Sequence, residues 1–537
     1  MKRTKKFLAL LLAVCLCSGL CACSDDVQEP EQDTPSKNET AEPKTTCPLS
    51  LPVAHSDTLD PFKAESAVNR SLITLLFDPL VTVGADFQPE LILADSYSLD
   101  GKTLSITLKK AYFTDSSAIT AADVEYSFEK AKKSDYYAAR LSNISSVSGS
   151  GSTVVFSLKS ADILALSCLD FPIVKDGTVQ TKHEGTNLYD IAPPVGSGRY
   201  YLKGTLPNAT LVANTKNVRG FDPYITEINL FEVTDSDGMA YGLQIGNYDC
   251  WYNDLSSGEY TRVNAGLSVV PTNNFVYLAF NPDKTIFQQT EVRRAVSLLL
   301  DRESIVSMGF QGHAAACVLP FNPAWSSMKN IAANTTATAQ TQTALDLLEG
   351  AGYTNINGYG YRASRTKSLN CTLTVCADNP FKVAAAKQIK EQLAAVNFNV
   401  RILELGYKDY TQAIANGEFE MYLGEIKIPA NMDLSAFFSH GGAANAVMEA
   451  EAEAEDGYWE INPSVDAYGK FVSGSMSLAD FCLLFDRETP FVPVCYRNAV
   501  QVYSRNFTTE ISGTCYDNFY GINKWQTKTS KDSTGGK

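Results

Sequence analysis

The sequence predicts an α/β fold of two lobes, and three observations carry that expectation. From about residue 275 to 426, strand-like runs alternate with amphipathic helical stretches, the order that sets parallel strands side by side through right-handed crossovers. The stretch expected to fold, 48–525, is too long for one small core. From about 489 the chain turns back to strand character, so it is expected to return to the first lobe.

Taken in order, the chain opens with Lys2, Arg3, Lys5 and Lys6 ahead of an apolar run from Phe7 to Cys17. That run is far below the ~20 residues a spanning helix needs, so 1–22 reads as an export signal peptide. Residues 23–47 are rich in Asp, Glu, Thr, Ser and Pro and almost empty of large apolar side chains. Such a stretch cannot offset its ordering entropy by burial and is expected to be a disordered acidic tether.

Lobe 1 is expected over 48–274. Asp100-Gly101, between alternating runs at 92–99 and 103–108, predicts a hairpin, and Gly149-Ser150-Gly151 ahead of Thr153–Leu158 predicts a second. Between them Thr120 and Asp123 form a capping box for a helix whose buried stripe is Val124, Phe128 and Ala131. Strands are expected at 199–202, 225–233 and 276–280.

Lobe 2, over 275–488, starts with a helix capped by Thr290 that buries Val292, Ala295, Val296 and Leu299. A helix carrying Ala344, Leu347 and Leu348 stops at Gly350. Then come a strand at 369–376, a helix from about Pro380 to Ala395, a strand at 399–405, a helix at 408–416 and a strand at 419–426. Ligands of such sheets lie beyond the carboxyl ends of the strands, which puts the loops 376–380 and 426–433 near a cleft. Residues 489–525 are expected to rejoin lobe 1, and 526–537 to form a loose polar tail.

The formal charge is −15, falling to about −19 once the four leader cations leave. An acidic surface argues against nucleic acid and against adhesion to anionic lipid. Thirteen cysteines do not read as a disulfide framework. Cys371 and Cys376 lie towards opposite ends of one strand, about 16 Å apart at ~3.3 Å per residue, too far to bridge. No C-x-x-C occurs and the four histidines are isolated, so neither metal nor cofactor is expected.

Leu20-Cys21-Ala22-Cys23 resembles the lipobox of bacterial lipoproteins, and only Cys23 follows a small residue. Lipidation at Cys23 is therefore expected; plain secretion with cleavage after Ala22, or an uncleaved anchor, is the alternative.

Seven segments resemble, in register, the bacterial extracellular solute-binding protein family 5, the oligopeptide- and dipeptide-binding proteins of ABC importers. They are Thr58-Leu59-Asp60-Pro61, Leu76-Phe77-Asp78-Pro79-Leu80, Pro89 to Tyr97, Asp100-Gly101-Lys102-Thr103 through Asp123-Val124, Tyr277 to Asn281, Val292 to Arg302, and Ala344 to Tyr353. The resemblance implies a periplasmic-binding-protein type II-like (cluster C) fold, two lobes joined by two strand crossings, with a subdomain inserted in lobe 1 at about 80–190. It implies a monomer that holds a small molecule or peptide between its lobes and delivers it to ABC permease subunits outside the cytoplasm.

Two departures from the family pattern, Ser116-Ser117 and Arg199, read as turn details. The third falls where peptide-binding members carry Gly-Trp and then an aspartate for the peptide ammonium. Here Gly424 is followed by Glu425, and Ile428 stands at the aspartate position with Lys427 beside it. Unless Glu425 or Asp433 substitutes, a buried ammonium lacks its partner; a lysine suits a ligand carboxylate better.

The candidate ligand-binding residues are Trp251, Tyr252, Asp254, Asn274, Phe275, Trp325 and Lys427. Trp251 and Tyr252 offer stacking surfaces and Asp254 a site for an ammonium; alternatively one aromatic fills the core and Asp254 caps a turn. Lys427 reads either as a cleft cation or as a solvated loop residue. Arg293 is expected to be a structural ion-pair partner, and Glu449–Asp456 a solvated helix face. An exported hydrolase is disfavoured, because no Gly-x-Ser-x-Gly elbow exists and no base can be nominated. A sensor of peptide signals, or a binder of a metal chelate or oligosaccharide, remains open.

Overall fold

The computed structural model describes residues 46–529, apart from parts of 183–191 and 440–462 and the short stretches 205–208, 234–237, 259–262, 282–285 and 333–334. The leader, Cys23, nearly all of the tether, Glu449–Asp456 and the tail beyond 529 lie outside the described residues.

The first core grows from β1 (Leu49–Val53), which buries Leu49, Leu51 and Val53. Ser66 caps α1 (Ala67–Leu76), its hydroxyl accepting the Asn69 amide at 3.2 Å. Both expected hairpins form. β2 (Ala94–Asp100) turns into β3 (Thr103–Leu108) at Gly101, φ 55°. After α2 (Ala121–Ala131), β4 (Ile144–Ser150) turns into β5 (Thr153–Leu158) at Gly151, φ 61°. The order is β2-β3-β5-β4, with Phe128 of α2 edge-on to Phe156 at 5.9 Å. The Thr120 amide donates to Asp123 Oδ2 at 2.8 Å, as the capping box requires. A further sheet runs β1-β8-β7-β6, from β6 (Tyr200–Lys203), β7 (Thr210–Ala213) and β8 (Glu227–Glu232).

The second core is built on the predicted alternation. α3 (Thr290–Leu299) buries its expected stripe, but Gln289 is the cap and Thr290 the first helical residue. α4 (Thr341–Gly350) packs beside it. β12 (Asn370–Cys376), α5 (Pro380–Ala394), β13 (Asn399–Leu405), α6 (Tyr407–Ala415) and β14 (Met421–Lys427) follow. β12 pairs in parallel with both β13 and β14. Cys371 and Cys376 sit at the two ends of β12, and the nine cysteines among the described residues are free thiols.

Two long strands tie the halves together. After β9 (Cys250–Asn253), β10 runs from Gly266 to Phe280, far beyond the expected 276–280. Pro271 hid its first half, since proline interrupts a strand pattern. It is accommodated beside a register shift between Pro271 and Phe275 in the pairing of β10 with β15 (Val492–Tyr503). With β11 (Ala314–Ala316) on β15, the described strands form one seven-stranded sheet, β9-β15-β10-β14-β12-β13 plus β11. Beyond β15, Ile511, Phe519, Ile522 and Trp525 join the same buried cluster as β1.

Arg293 is buried, but its partners are not carboxylates. Its guanidinium donates to the carbonyls of Glu488 and Thr489, each at 3.0 Å, at the end of helix α7 (Leu478–Glu488), and to Phe287 O at 2.8 Å. Those carbonyls are the orphaned acceptors of a helix C-terminus, so the arginine acts as a cap.

At the centre of the long strands Phe275 is fully buried, with Tyr496 and Tyr277 stacked on it at 4.8 and 5.7 Å and Phe437 edge-on at 5.7 Å. Truncation to alanine would open a cavity among close-packed rings, so Phe275→Ala is expected to cost about 3–5 kcal/mol in urea unfolding. A loss below 1 kcal/mol would contradict this packing.

Candidate functional site

Side chains alternate along β9, which sends Trp251 one way and Tyr252 the other. Tyr252 and Asp254 face a cleft that opens to solvent, about 1090 Å³ of empty space with the open solvent included. Its floor is α1, through Arg70, Ser71 and Thr74; Tyr136, Tyr137 and Asp170 form one wall, Cys515 to Asn518 another, and Lys427 enters from the end of β14.

Buried ion pairs hold these walls. Arg199 Nη2 donates to both oxygens of Asp517 at 2.7 and 2.8 Å, and its Nη1 reaches Phe519 O at 2.7 Å. Arg219 donates to Asp78 Oδ1 at 2.8 Å through Nη2, and Asp78 also accepts from Asn217 at 2.7 Å. Arg199 is therefore no turn detail. It fastens the 517–519 segment to α1 through Thr74 O, and Gly198 before it passes so close to α1 that a Cβ would collide with Leu75 O. Arg140 pairs with Asp170 and lies over the Tyr136 and Tyr137 rings, 5.1 Å from each centroid. Burial raises the Asp170 carboxyl above its usual range, with Arg140 opposing the shift, and burial also raises the Tyr252 phenol. The Cys515 thiol is pushed up to about 12 by burial, which keeps it protonated.

Of the candidate residues, Tyr252, Asp254 and Lys427 line the cleft. Asn274 stands behind it, donating to Asp254 Oδ1 at 2.9 Å, and that oxygen also accepts the Ser256 amide at 3.0 Å. So Asp254 both caps a turn and faces the cleft. The structure sets the other three apart from it. Trp251 packs edge-on to Tyr248 at 6.3 Å, Phe275 lies in the aromatic core, and Trp325 is buried against Phe321 at 5.5 Å. The alternation of β9 and the inward packing of the 321–325 loop decide this. Arg70, Tyr136, Tyr137, Asp170 and the 515–518 segment were missed. The Tyr136-Tyr137 doublet was visible, but nothing local tied it to residues hundreds of positions away.

Neither proposed substitute for the missing aspartate faces the cleft. Asp433 accepts from Ser435 and from the Tyr468 hydroxyl at 2.8 Å. Glu425 is buried 3.5 Å from Lys382 and 3.6 Å from Arg497, a guanidinium held between Phe310 and Phe381. No cluster of three metal-ligating side chains occurs among the described residues.

Residues 86–446 match the family model for bacterial extracellular solute-binding proteins, family 5. The chain belongs to this family. Over 344 residues it is 26% identical to the oligopeptide-binding protein AppA of Bacillus subtilis, covering 61% of this chain and 63% of AppA. It is 25% identical over 274 residues to the glutathione-binding protein GsiB of Salmonella choleraesuis, covering 48% of this chain and 52% of GsiB. The chain thus spans less than two thirds of these curated relatives. The crystal structure of the nickel ABC transporter from Bacillus halodurans superposes with a TM-score of 0.68 at 19% identity, over 89% of this chain and 99% of the other. This family-5 fold is the two-lobe one. No helix among the described residues is long and apolar enough to cross a membrane.

Burial raises the Glu425 carboxyl from an ordinary 4.5, against the pull of Arg497 and Lys382. A carboxyl harder to ionise when folded contributes stability below its unfolded value and loses it as pH rises through the folded one. Glu425→Gln cannot ionise, so the stability of the wild type relative to this variant should fall as pH rises from about 4.5. Urea titrations at stepped pH check this, and a pH-independent difference would refute it.

Proposed function

We propose that this family-5 protein is the substrate-binding component of an ABC importer, capturing a small ligand, peptide first, between its lobes and presenting it to permease subunits. The observation that carries the reading is the cleft itself, lined by lobe 1, by the returning 515–518 segment and by Lys427 of the other lobe. Its lining suits a short peptide, since four tyrosines at 136, 137, 252 and 516 offer apolar faces with polar tips. Asp254 keeps Oδ2 for a ligand ammonium once Oδ1 is committed to Ser256 and Asn274. The relatives named for oligopeptides and glutathione favour the same class.

In this reading lobe 1 is 48–274, with its inserted subdomain at about 80–190, lobe 2 is 275–488, and 489–525 returns to lobe 1. The protein works as a monomer outside the cytoplasm, held to the membrane by acyl chains on Cys23, and performs no catalysis. One chain would hold it only marginally, at ~0.8 kcal/mol per buried methylene, so anchoring takes more than one. Closure follows from population shift, since a ligand favours the closed form only through contacts it makes there.

Tetra-alanine, glutathione, the Ni(II)–histidine complex and maltotriose serve as probes. A peptide probe is expected to raise the melting temperature and compact the molecule in small-angle scattering, and Asp254→Asn to weaken that probe at least tenfold. Binding of maltotriose or the nickel complex alone would replace the peptide assignment. Cys23→Ala should move the protein from the membrane fraction to the soluble one; unchanged fractionation would remove the lipid anchor from the account.

A further inference from the structure

We propose that Arg70 and Lys427 together form a receptor for a ligand carboxylate, one cation from each lobe, and that the bridge they make through it drives closure. The inference rests on the cleft being the ligand site.

The charges around the cleft are unevenly matched. Arg140 is paired with Asp170, Arg199 with Asp517 and Arg219 with Asp78. Arg70 and Lys427 have no carboxylate within ion-pair distance among the described residues. The Arg70 guanidinium lies over the Tyr136 ring, 5.4 Å from its centroid, and gives one bond to the Glu65 carbonyl. Lys427 stands opposite Asn274 in the strand register and is exposed within the cleft. Of the other carboxylates that line the cleft, Asp170 is committed to Arg140 and Asp517 to Arg199. Against these two cations the cleft sets one carboxylate outside an ion pair, Asp254. The balance is an excess of one positive charge inside a protein whose formal charge is −15.

With Asp254 left for a ligand ammonium, the two cations fit one carboxylate group of the same ligand. A carboxylate offers two oxygens, one for the planar arginine fork and one for the compact ammonium. The position of Lys427 gives the pair its mechanical meaning. Among the described residues that line the cleft, Lys427 is the contribution of the parallel-sheet lobe. Closing the cleft without an anion brings like charges towards each other. A carboxylate between them turns that opposition into attraction available only when the lobes meet, the differential contact that closure demands.

The test needs no mutation at first. Tri-, tetra- and penta-alanine with free C-termini are titrated calorimetrically into the mature protein beside their C-terminal amides. The free acids are expected to bind at least tenfold more tightly, about 1.4 kcal/mol, and alone to compact the protein in scattering. Lys427→Gln and Arg70→Gln should each bring the acid-to-amide ratio close to one at an unchanged melting temperature, and Lys427→Arg should restore it. Equal binding of acid and amide, or full discrimination retained by Lys427→Gln, overturns the carboxylate receptor while leaving the cleft a peptide site. If no alanine peptide binds in either form, the peptide reading itself fails and the receptor falls with it.

Discussion

The antiparallel pairing of β10 with β15 is the constraint on which the molecule is built. Their ladder is the central seam of the seven-stranded sheet, with β9 on one side and β14 on the other. Because both strands are buried over most of their length, an edge at this seam would leave ladder groups unsatisfied, and the two must fold as a pair. The register shift beside Pro271 falls inside the seam, where a bulge changes strand direction without ending the pairing. Directly beyond it Phe275 and Tyr496 stack, so the aromatic core begins where the ladder resumes.

Polar chemistry around the cleft follows from this return. β15 leads into residues 511–527, and Arg199 holds them against the first core with two bonds to Asp517 and one to the Phe519 carbonyl in a nearly dry setting. Removing one member of such a pair leaves an uncompensated buried charge, typically a loss of about 3–5 kcal/mol. The pairs therefore do double duty, fixing the cleft walls and silencing most of the charges that line them. Among the described residues lining the cleft, Arg70, Lys427 and Asp254 stay outside any ion pair. The acidic exterior and the positively biased cleft are compatible because the cleft's cations are held close to low-dielectric walls, where field is focused on whatever enters.

Much of the architecture was legible along the chain. The Asp100-Gly101 and Gly149-Ser150-Gly151 turns, the Thr120–Asp123 cap and the strand–helix alternation after 369 are local signals, and the elements they announced are present. The site was legible only in part. Tyr252 and Asp254 stood out because they precede the first expected crossing, and Lys427 because it stands beside the position of the family's aspartate. Trp251, Phe275 and Trp325 looked equally suited, since aromatic character alone does not say which face of a strand meets solvent. Arg199 was visible as an oddity, but its partner Asp517 lies 318 residues away.

By itself, then, the sequence determined what depends on neighbours within a few positions: turns, caps, periodicity, the overall charge and the motifs that mark the family. Tertiary structure alone decided which charges cancel and which do not. That outcome depends on distances between residues from opposite ends of the chain, and on how far packing excludes water between them. An arginine is a neutralised strut beside Asp517 and a cation stacked over the ring of Tyr136, and only the fold assigns the neighbour.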